Sequence, residues 1–549
     1  MDVVSAVLIF LLTVVVSGFL VRLLPIAVPL PIVQIALGAA LSMSGFNVAF
    51  DSHLFLLLFI PPLLFLDGWR IPKGALFRDW RTILALAIGL VVFTVAGMGV
   101  LIHWLLPAVP LAVAFALAAI LSPTDPVAVS AMTANSPVPS RLMHILEGES
   151  LLNDASGLVC FSFAVTAALT GTFSMGEATL SFAFVAGGGV VVGVAVTWLI
   201  GRCSRFLVKR VGEDSSIQIL ISLLIPFAAY LAAEHIGVSG ILAAAVAGIA
   251  MHYAELIGRP LPATRMQRNA VWDTIQTALN GIIFVLLGEQ LPGMLRDLPA
   301  VAASAGVAGP WHLLGYAALI TFALGAMRFA WVWTAVRITA VRAERLGKST
   351  PMPKTRLLAV TATAGVRGAI TLAGILTLPL TMLDGSVFPG RDVAIFIAMA
   401  VILFSLTLAS IGLPLLTRGL AADLPDAAPQ RSEENARTAA AEAAIRRIDA
   451  INAEPESDEL AAGARAQAIM RLRDAYQRRI DYGDSTDEDA AEALRAVQAE
   501  RALRVQALRA ERNELYRLRR ARAIDDEVHQ RLLREIDLQE ASLTQTRAH

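Results

Sequence analysis

The sequence predicts an all-α polytopic membrane protein with inverted repeats, crossing broken helices and a helical cytoplasmic tail. Three observations carry that prediction. Hydrophobic residues make up 56% of the 549 and charged residues only 16%, against about 25% charged in a soluble domain. About thirteen apolar runs fill residues 1–420. Basic residues follow every second run, as cytoplasmic loops do.

Lipid offers no partner for backbone groups, so a span is a helix of about 20 apolar residues. Spans are expected near 3–22, 27–46, 52–67, 82–105, 109–134, 145–170, 178–200, 216–234, 238–255, 272–291, 312–340, 356–381 and 391–417. Arg70, Lys73, Arg78 and Arg81 follow the third, Arg141 the fifth, and Arg202, Arg205, Lys209 and Arg210 the seventh. Arg259, Arg265 and Arg268 follow the ninth; Arg337, Arg342, Arg345, Lys348, Lys354 and Arg356 close the eleventh. The expected orientation is N-terminus outside and C-terminus in the cytoplasm, in the inner membrane of a bacterium. With no basic leader or small-residue cleavage site, the first run is expected to remain as a span.

Residues 421–549 are a second region, dense in Arg, Glu, Asp and Ala, with the helical spacing of Ala, Leu and Ile clearest at 490–540. Pro425, Pro429, Pro455 and Gly483 divide it into two or three amphipathic helices, expected to pair with each other or with a second subunit as a coiled-coil regulatory tail, the plainer reading being a solvated helical tail with no sensing role. Lys+Arg and Asp+Glu balance at 45 each, giving no reason to expect a nucleic-acid partner. Cys160 and Cys203 are too few and too far apart for a disulfide framework or a cysteine metal site.

Ionisable residues inside spans are costly, so each needs a reason. In Leu121-Ser122-Pro123-Thr124-Asp125-Pro126 two prolines flank Thr-Asp, and each removes a donor and clashes with the preceding turn. The fifth span should unwind there, freeing carbonyls beside Asp125, as discontinuous helices do in secondary transporters. A kink capped by Asp125 is the plainer reading. In Glu147-Gly148-Glu149-Ser150-Leu151-Leu152-Asn153-Asp154, Ser150 and Asp154 share one helix face and Glu149 and Asn153 the next. Asp154 lies in a span that stays apolar beyond it, so a proton, a cation or an arginine must neutralise it. With Ser150, Asn153 and the Thr124 carbonyl it supplies the oxygen donors that a hard monovalent cation wants. The plainer alternative is a polar cluster tying helices together.

Arg328, in Gly325-Ala326-Met327-Arg328-Phe329, and Arg367, in Gly365-Val366-Arg367-Gly368, lie within spans and stay charged. Glu149 is the expected partner of Arg328; Arg367 either joins that set or snorkels to an interface. Gly365, Gly368 and three threonines loosen the twelfth span as the prolines loosen the fifth, the pattern of an inverted repeat. Asp67, after Pro61-Pro62, lines the path or sits at the interface beside Trp69. Asn280 with Glu289, and Glu234 with His235, are packing polars or pH-sensing groups.

The Thr124-Asp125-Pro126 and Glu149-Ser150-Leu151-Leu152-Asn153-Asp154 motifs resemble bacterial sodium/proton antiporters of the NhaP/NHE type, monovalent cation:proton antiporter family 1. The resemblance covers about residues 1–418 and includes Ser239-Gly240-Ile241-Leu242-Ala243 and Gly365-Val366-Arg367-Gly368. It implies thirteen helices, a six-helix core beside a dimerisation domain, elevator-like alternating access and a homodimer. It implies Asp154 as the ion- and proton-binding carboxylate, and Asn153 as the amide where electrogenic relatives have a second Asp. Ser150 and the Thr124 carbonyl are then direct Na+ ligands and Asp125 an outer group. Glu149 with Arg328 forms the structural ion pair, Arg367 being the second core arginine. Where the family often has an acid after the proline pair, this chain has Leu66, with Asp67 one place later.

The expected activity is exchange of Na+, with Li+ and K+ as alternatives, for one H+ at Asp154, moving no net charge. The partners are the cation, the proton, the bilayer and a second copy; there is no cofactor beyond the transported Na+ and H+. A cation channel and a proton-coupled organic-solute transporter are the rivals. No nucleophile–base set suggests an enzyme, and the tail lacks a glycine-rich nucleotide turn.

Overall fold

The computed structural model describes residues 3–24, 28–46, 52–125, 129, 140–171, 175–258, 261–345, 355–418, 427–452, 466–477, 489–521, 528, 532–533 and 535–540. Pro126 and the rest of the predicted fifth span beyond Val129 lie outside these residues, as do Arg259, Lys348, Lys354, Pro425, Pro455 and Gly483. The chain divides into two compact units, Met1–Leu424 and Pro425–His549.

The first unit is helical, its one β-bridge among the described residues joining Thr381 to Val387. In chain order the helices are α1 (Val3–Leu23), α2 (Leu30–Met43), α3 (Ser52–Arg70), α4 (Lys73–Arg78), α5 (Trp80–Leu105), α6 (Leu111–Leu121) and α7 (Ser140–Thr170). They continue as α8 (Met175–Val211), α9 (Ser215–Ile236), α10 (Gly240–Gly258), α11 (Pro262–Ser304) and α12 (Pro310–Arg345). Two half-helices, α13 (Thr355–Thr363) and α14 (Ala369–Leu376), precede α15 (Arg391–Thr417). Nine described helices are long and apolar enough to cross a membrane; α2 and α6 are apolar but shorter.

Local chemistry sets the ends. Asp214 caps α9 by accepting from the N–H groups of Ser216 and Ile217 at 2.8 and 3.1 Å, a standard N-cap. Gly237, at φ 78°, ends it and separates it from α10. Several helices overrun the predicted spans, α11 most of all, because polar residues continue a helix beyond the apolar stretch that marks the lipid. In α5 the run Ala85–Leu90 is wound as a π-helix, which nothing in the apolar sequence announces.

Helices in lipid gain little from burying apolar surface against each other, so small residues and close packing hold them. Two helix pairs meet backbone to backbone. A Cβ added to Gly38 of α2 would overlap the Val285 carbonyl of α11, and one added to Gly288 would overlap the Ile35 carbonyl. Gly68 of α3 stands in the same relation to Ala245 of α10, and Gly248 to Phe65. Partners run in opposite order along each pair, so both crossings are antiparallel and built alike.

α5, α6, α7, α12, α14 and α15 pack around a second body of apolar side chains that includes Met98, Leu117, Leu324, Ile375 and Val401. Within it the chain leaves helical form at Ser122–Asp125, after α6, and again between α13 and α14. The two breaks touch: the Asp125 N–H donates to the Val366 carbonyl at 2.8 Å.

The tail unit contains α16 (Ala427–Asn452) and α17 (Asp489–Arg520). Arg512 of α17 pairs with Asp537 at 2.7 Å and Glu540 at 2.5 Å in the helical segment that follows, while Leu508 and Ile536 are buried.

Candidate ion-binding site

Breaking α6 at Ser122 frees the polar backbone that a continuous helix would consume. Thr124 and Asp125 then lie beside α7, where Gly157 leaves room for Pro123: a Cβ there would sit 2.9 Å from the proline Cδ. Glycine at 368 is required by the crossing strand, since an added Cβ would fall 2.6 Å from the Asp125 Cβ and overlap its carboxylate.

A cavity of about 50 Å³ opens beside this crossing. Asp154 and Ser150 line it from α7, one helical turn apart, with Thr124 and Asp125 from the break and Thr371 from α14. Asp67 from α3 and Asn280 from α11 complete its polar lining, and among the described residues no lysine or arginine lines it. Asp154 is 4% exposed, and among the described residues it forms no salt bridge. The cavity therefore presents carboxylate, hydroxyl and amide oxygen in apolar surroundings, the donors suited to a hard cation.

Asn153 faces the break, its Nδ2 donating to the Thr124 hydroxyl at 3.2 Å. Its Oδ1, and the Ser122 hydroxyl, are buried without a hydrogen-bond partner among the described residues. Glu149 turns away from the cavity to Arg328. Arg328 Nη2 donates to Glu149 Oε2 at 2.7 Å, a second bond joins Nη1 to Oε1, and Nε donates to the Thr361 carbonyl at 2.9 Å. This bidentate pair ties α12 to α7 and to α13.

Arg367 is buried, not snorkelled, and its guanidinium bonds to backbone rather than to Glu149. Its Nε donates to the Leu121 carbonyl at 2.9 Å and its Nη1 to the Gly365 carbonyl, while its own N–H donates to the Ser405 hydroxyl at 3.2 Å. It thus holds the last carbonyl of α6 and the opposite break together. Leu66 is fully buried among Phe65, Trp69 and Trp272, so on α3 it is Asp67 that reaches the cavity. Glu234 accepts from the Gly240 N–H at 3.2 Å, a packing role at the α9–α10 turn. Glu289 accepts from its neighbour Gln290 at 2.9 Å and does not line the cavity.

Thr371 is not legible in the sequence as a lining residue, since only the half-helix geometry aims it inward. Lys73 and the Glu255–Arg268 pair at the end of α3 are equally hidden, because basic residues after a span register first as a topology signal.

A sequence profile of the family described as "Sodium/hydrogen exchanger, transmembrane" matches residues 7–419. The chain belongs to the sodium/hydrogen exchanger family. It is 43% identical to the uncharacterized Na+/H+ exchanger YjcE of Escherichia coli (strain K12), over 99% of each chain. It is 42% identical to the sodium, potassium, lithium and rubidium/H+ antiporter of Bacillus subtilis (strain 168), over 76% of this chain and 62% of that one. The fold matches the sodium proton antiporter MjNhaP1 of Methanocaldococcus jannaschii with a TM-score of 0.53 at 19% identity, over 76% of this chain and 99% of that one. The resemblance carried by the Thr124 and Glu149 motifs therefore stands. This exchanger is a multi-pass membrane protein of a transporter family whose chemistry is exchange of monovalent cations for protons.

Proposed function

We propose that the protein exchanges Na+ for H+ across the cytoplasmic membrane, the two competing for Asp154. One observation carries the reading. A buried carboxylate, with no basic partner among the described residues, lines a small cavity together with Ser150, Thr124 and Asp125. A carboxylate in such surroundings favours a neutralised state, and a proton or a cation each supplies it. Occupancy by one excludes the other, which is the elementary condition for exchange. Ser150 and the Thr124 carbonyl are the further Na+ ligands, and Asp125 an outer group that shapes the break. Glu149 with Arg328 is structural, and Arg367 braces the crossing.

With Asn153 neutral, one acid titrates per cycle, and one Na+ for one H+ moves no net charge. The site reaches the two sides alternately as the α5–α7 and α12–α15 body moves against the remainder, in a homodimer with its N-terminus outside. The cavity is small, about 50 Å³, and lined by several oxygen-bearing side chains, which suits an ion and disfavours an organic solute. The name of the Bacillus relative supports a second reading in which K+, Li+ and Rb+ are also carried. The tail, residues 421–549, serves regulation.

The test is dye-reported proton flux in proteoliposomes, with Na+, Li+ and K+ supplied in turn. Asp154→Asn should abolish exchange while the protein stays monodisperse, and strong residual exchange removes Asp154 from its role. A marked response to imposed voltage would overturn the one-for-one stoichiometry, and current without a counter-ion would indicate a channel.

A further inference from the structure

A helix ends with carbonyls that have no partner of their own. At the end of α3 one side chain takes two such groups and the carbonyl of the residue just past the helix. Lys73, the first residue of α4, is buried and turns back to donate to the carbonyls of Gly68, Trp69 and Ile71 at 2.8, 2.7 and 2.8 Å. An ammonium has three hydrogens, and all are used here. The same turn is fixed on its other sides. Arg70 bonds Asp273 and, at 2.7 Å, Gln276 of α11. The Trp69 indole donates to Glu255 of α10 at 3.1 Å, and Arg268 of α11 lies over its ring at 5.2 Å. The Ile71 N–H closes the turn on the Asp67 carbonyl at 3.1 Å, and the Asp67 side chain lines the cavity.

We propose that Lys73 is a positioning residue for exchange, its ammonium fastening the last turn of α3 so that Asp67 is held against the cation's cavity. The inference rests on the reading that this cavity carries the cation. A cation at a helix C-terminus also opposes the partial negative charge there.

The clamp is pH-sensitive. Burial pulls the Lys73 ammonium down to about 8, and the Glu255 carboxylate resists that fall. Below about 8 all three donors are present; above it the neutral amine keeps two hydrogens and one carbonyl is released. Titratable groups on the elements packed around this corner are Asp67 and Arg70 on α3, His252 and Glu255 on α10, Arg268 and Asp273 on α11, Asp79 beside α5, and His144 and Glu147 on α7.

The experiment measures Na+-dependent proton flux of the full-length protein in proteoliposomes from pH 6.5 to 9.5, for wild type, Lys73→Gln and Lys73→Arg. Lys73→Gln should raise the KM for Na+ at least fivefold at pH 7 with Vmax within twofold. The ratio of wild-type to Lys73→Arg KM should be near one at pH 7 and several-fold at pH 9, a ratio in which proton competition cancels. A ratio of one throughout, or a Lys73→Gln variant that loses Vmax with KM unchanged, overturns the proposal. Amide hydrogen exchange of the 63–72 segment, corrected for its intrinsic pH dependence, should quicken above pH 8 in wild type and not in Lys73→Arg; equal rates overturn the proposal even where Lys73→Gln fails to assemble. Both readouts compare the exchanger with its Lys73 variants, so they stand apart from whether Asp154→Asn is inactive.

Discussion

The backbone N–H of Asp125 donates to the carbonyl of Val366 at 2.8 Å, across the two interrupted helices. Each interruption strips a turn of its own hydrogen bonds, and this bond returns one to each side. The crossing is therefore a single element made from two distant stretches, and the shape of the cavity beside it depends on keeping it intact.

Gly368→Ala should damage the crossing directly. The added methyl overlaps the Asp125 carboxylate, and overpacking in a tight interior costs about 1–3 kcal/mol. The expected outcome is at least a tenfold loss of Na+-driven proton flux, with a lower melting midpoint in detergent.

Arg328→Met should destabilise the fold more than Gly368→Ala does. It leaves Glu149 buried without its partner, a loss of about 3–5 kcal/mol for pairs of this kind. The double variant Arg328→Met/Glu149→Gln should recover most of that loss. Differential scanning fluorimetry of the purified protein checks the order: wild type, then double, then single.

Arg367→Lys keeps the charge but not the fork that reaches both Leu121 and Gly365. Exchange should fall at least tenfold, while expression and monodispersity persist. Flux equal to wild type would show that charge alone suffices at this position.

Thr124→Val separates two roles of one residue, because it keeps the carbonyl and removes the hydroxyl that accepts from Asn153. If the carbonyl is the ligand, the KM for Na+ should change less than about threefold. A larger rise, measured by sodium titration of proton flux, would assign the ligand to the hydroxyl.

Much of the site is legible in the sequence because the signals are local. The prolines around Thr124 and the glycines around Arg367 mark helix breaks by themselves, and the i, i+4 spacing of Ser150 and Asp154 puts both on one face. The Arg328–Glu149 pairing can be chosen because a buried guanidinium needs an anion, and few candidates exist. Arg367 misleads for the same reason: its acceptors are backbone carbonyls freed by a break, which a sequence does not display as anions. Helix ends such as those of α11 escape because hydropathy records where lipid is, not where hydrogen bonding stops. Asp67 cannot be assigned by pattern alone, since Leu66 and Asp67 differ by about 100° of helix rotation and only the burial of Leu66 in an apolar cluster decides which of them reaches the cavity.

The glycine contacts of α2 with α11 and of α3 with α10 share one form. Ile35 and Gly38 meet Gly288 and Val285, as Ala245 and Gly248 meet Gly68 and Phe65. The same joint occurs twice, each time between a helix from the first half of the membrane unit and one from the second, with glycines in matching places. Each of the four glycines stands where a methyl group cannot be admitted. Bulk can thus be added to these four helices on their outer faces alone, since a side chain at any one glycine would force its joint to be rebuilt.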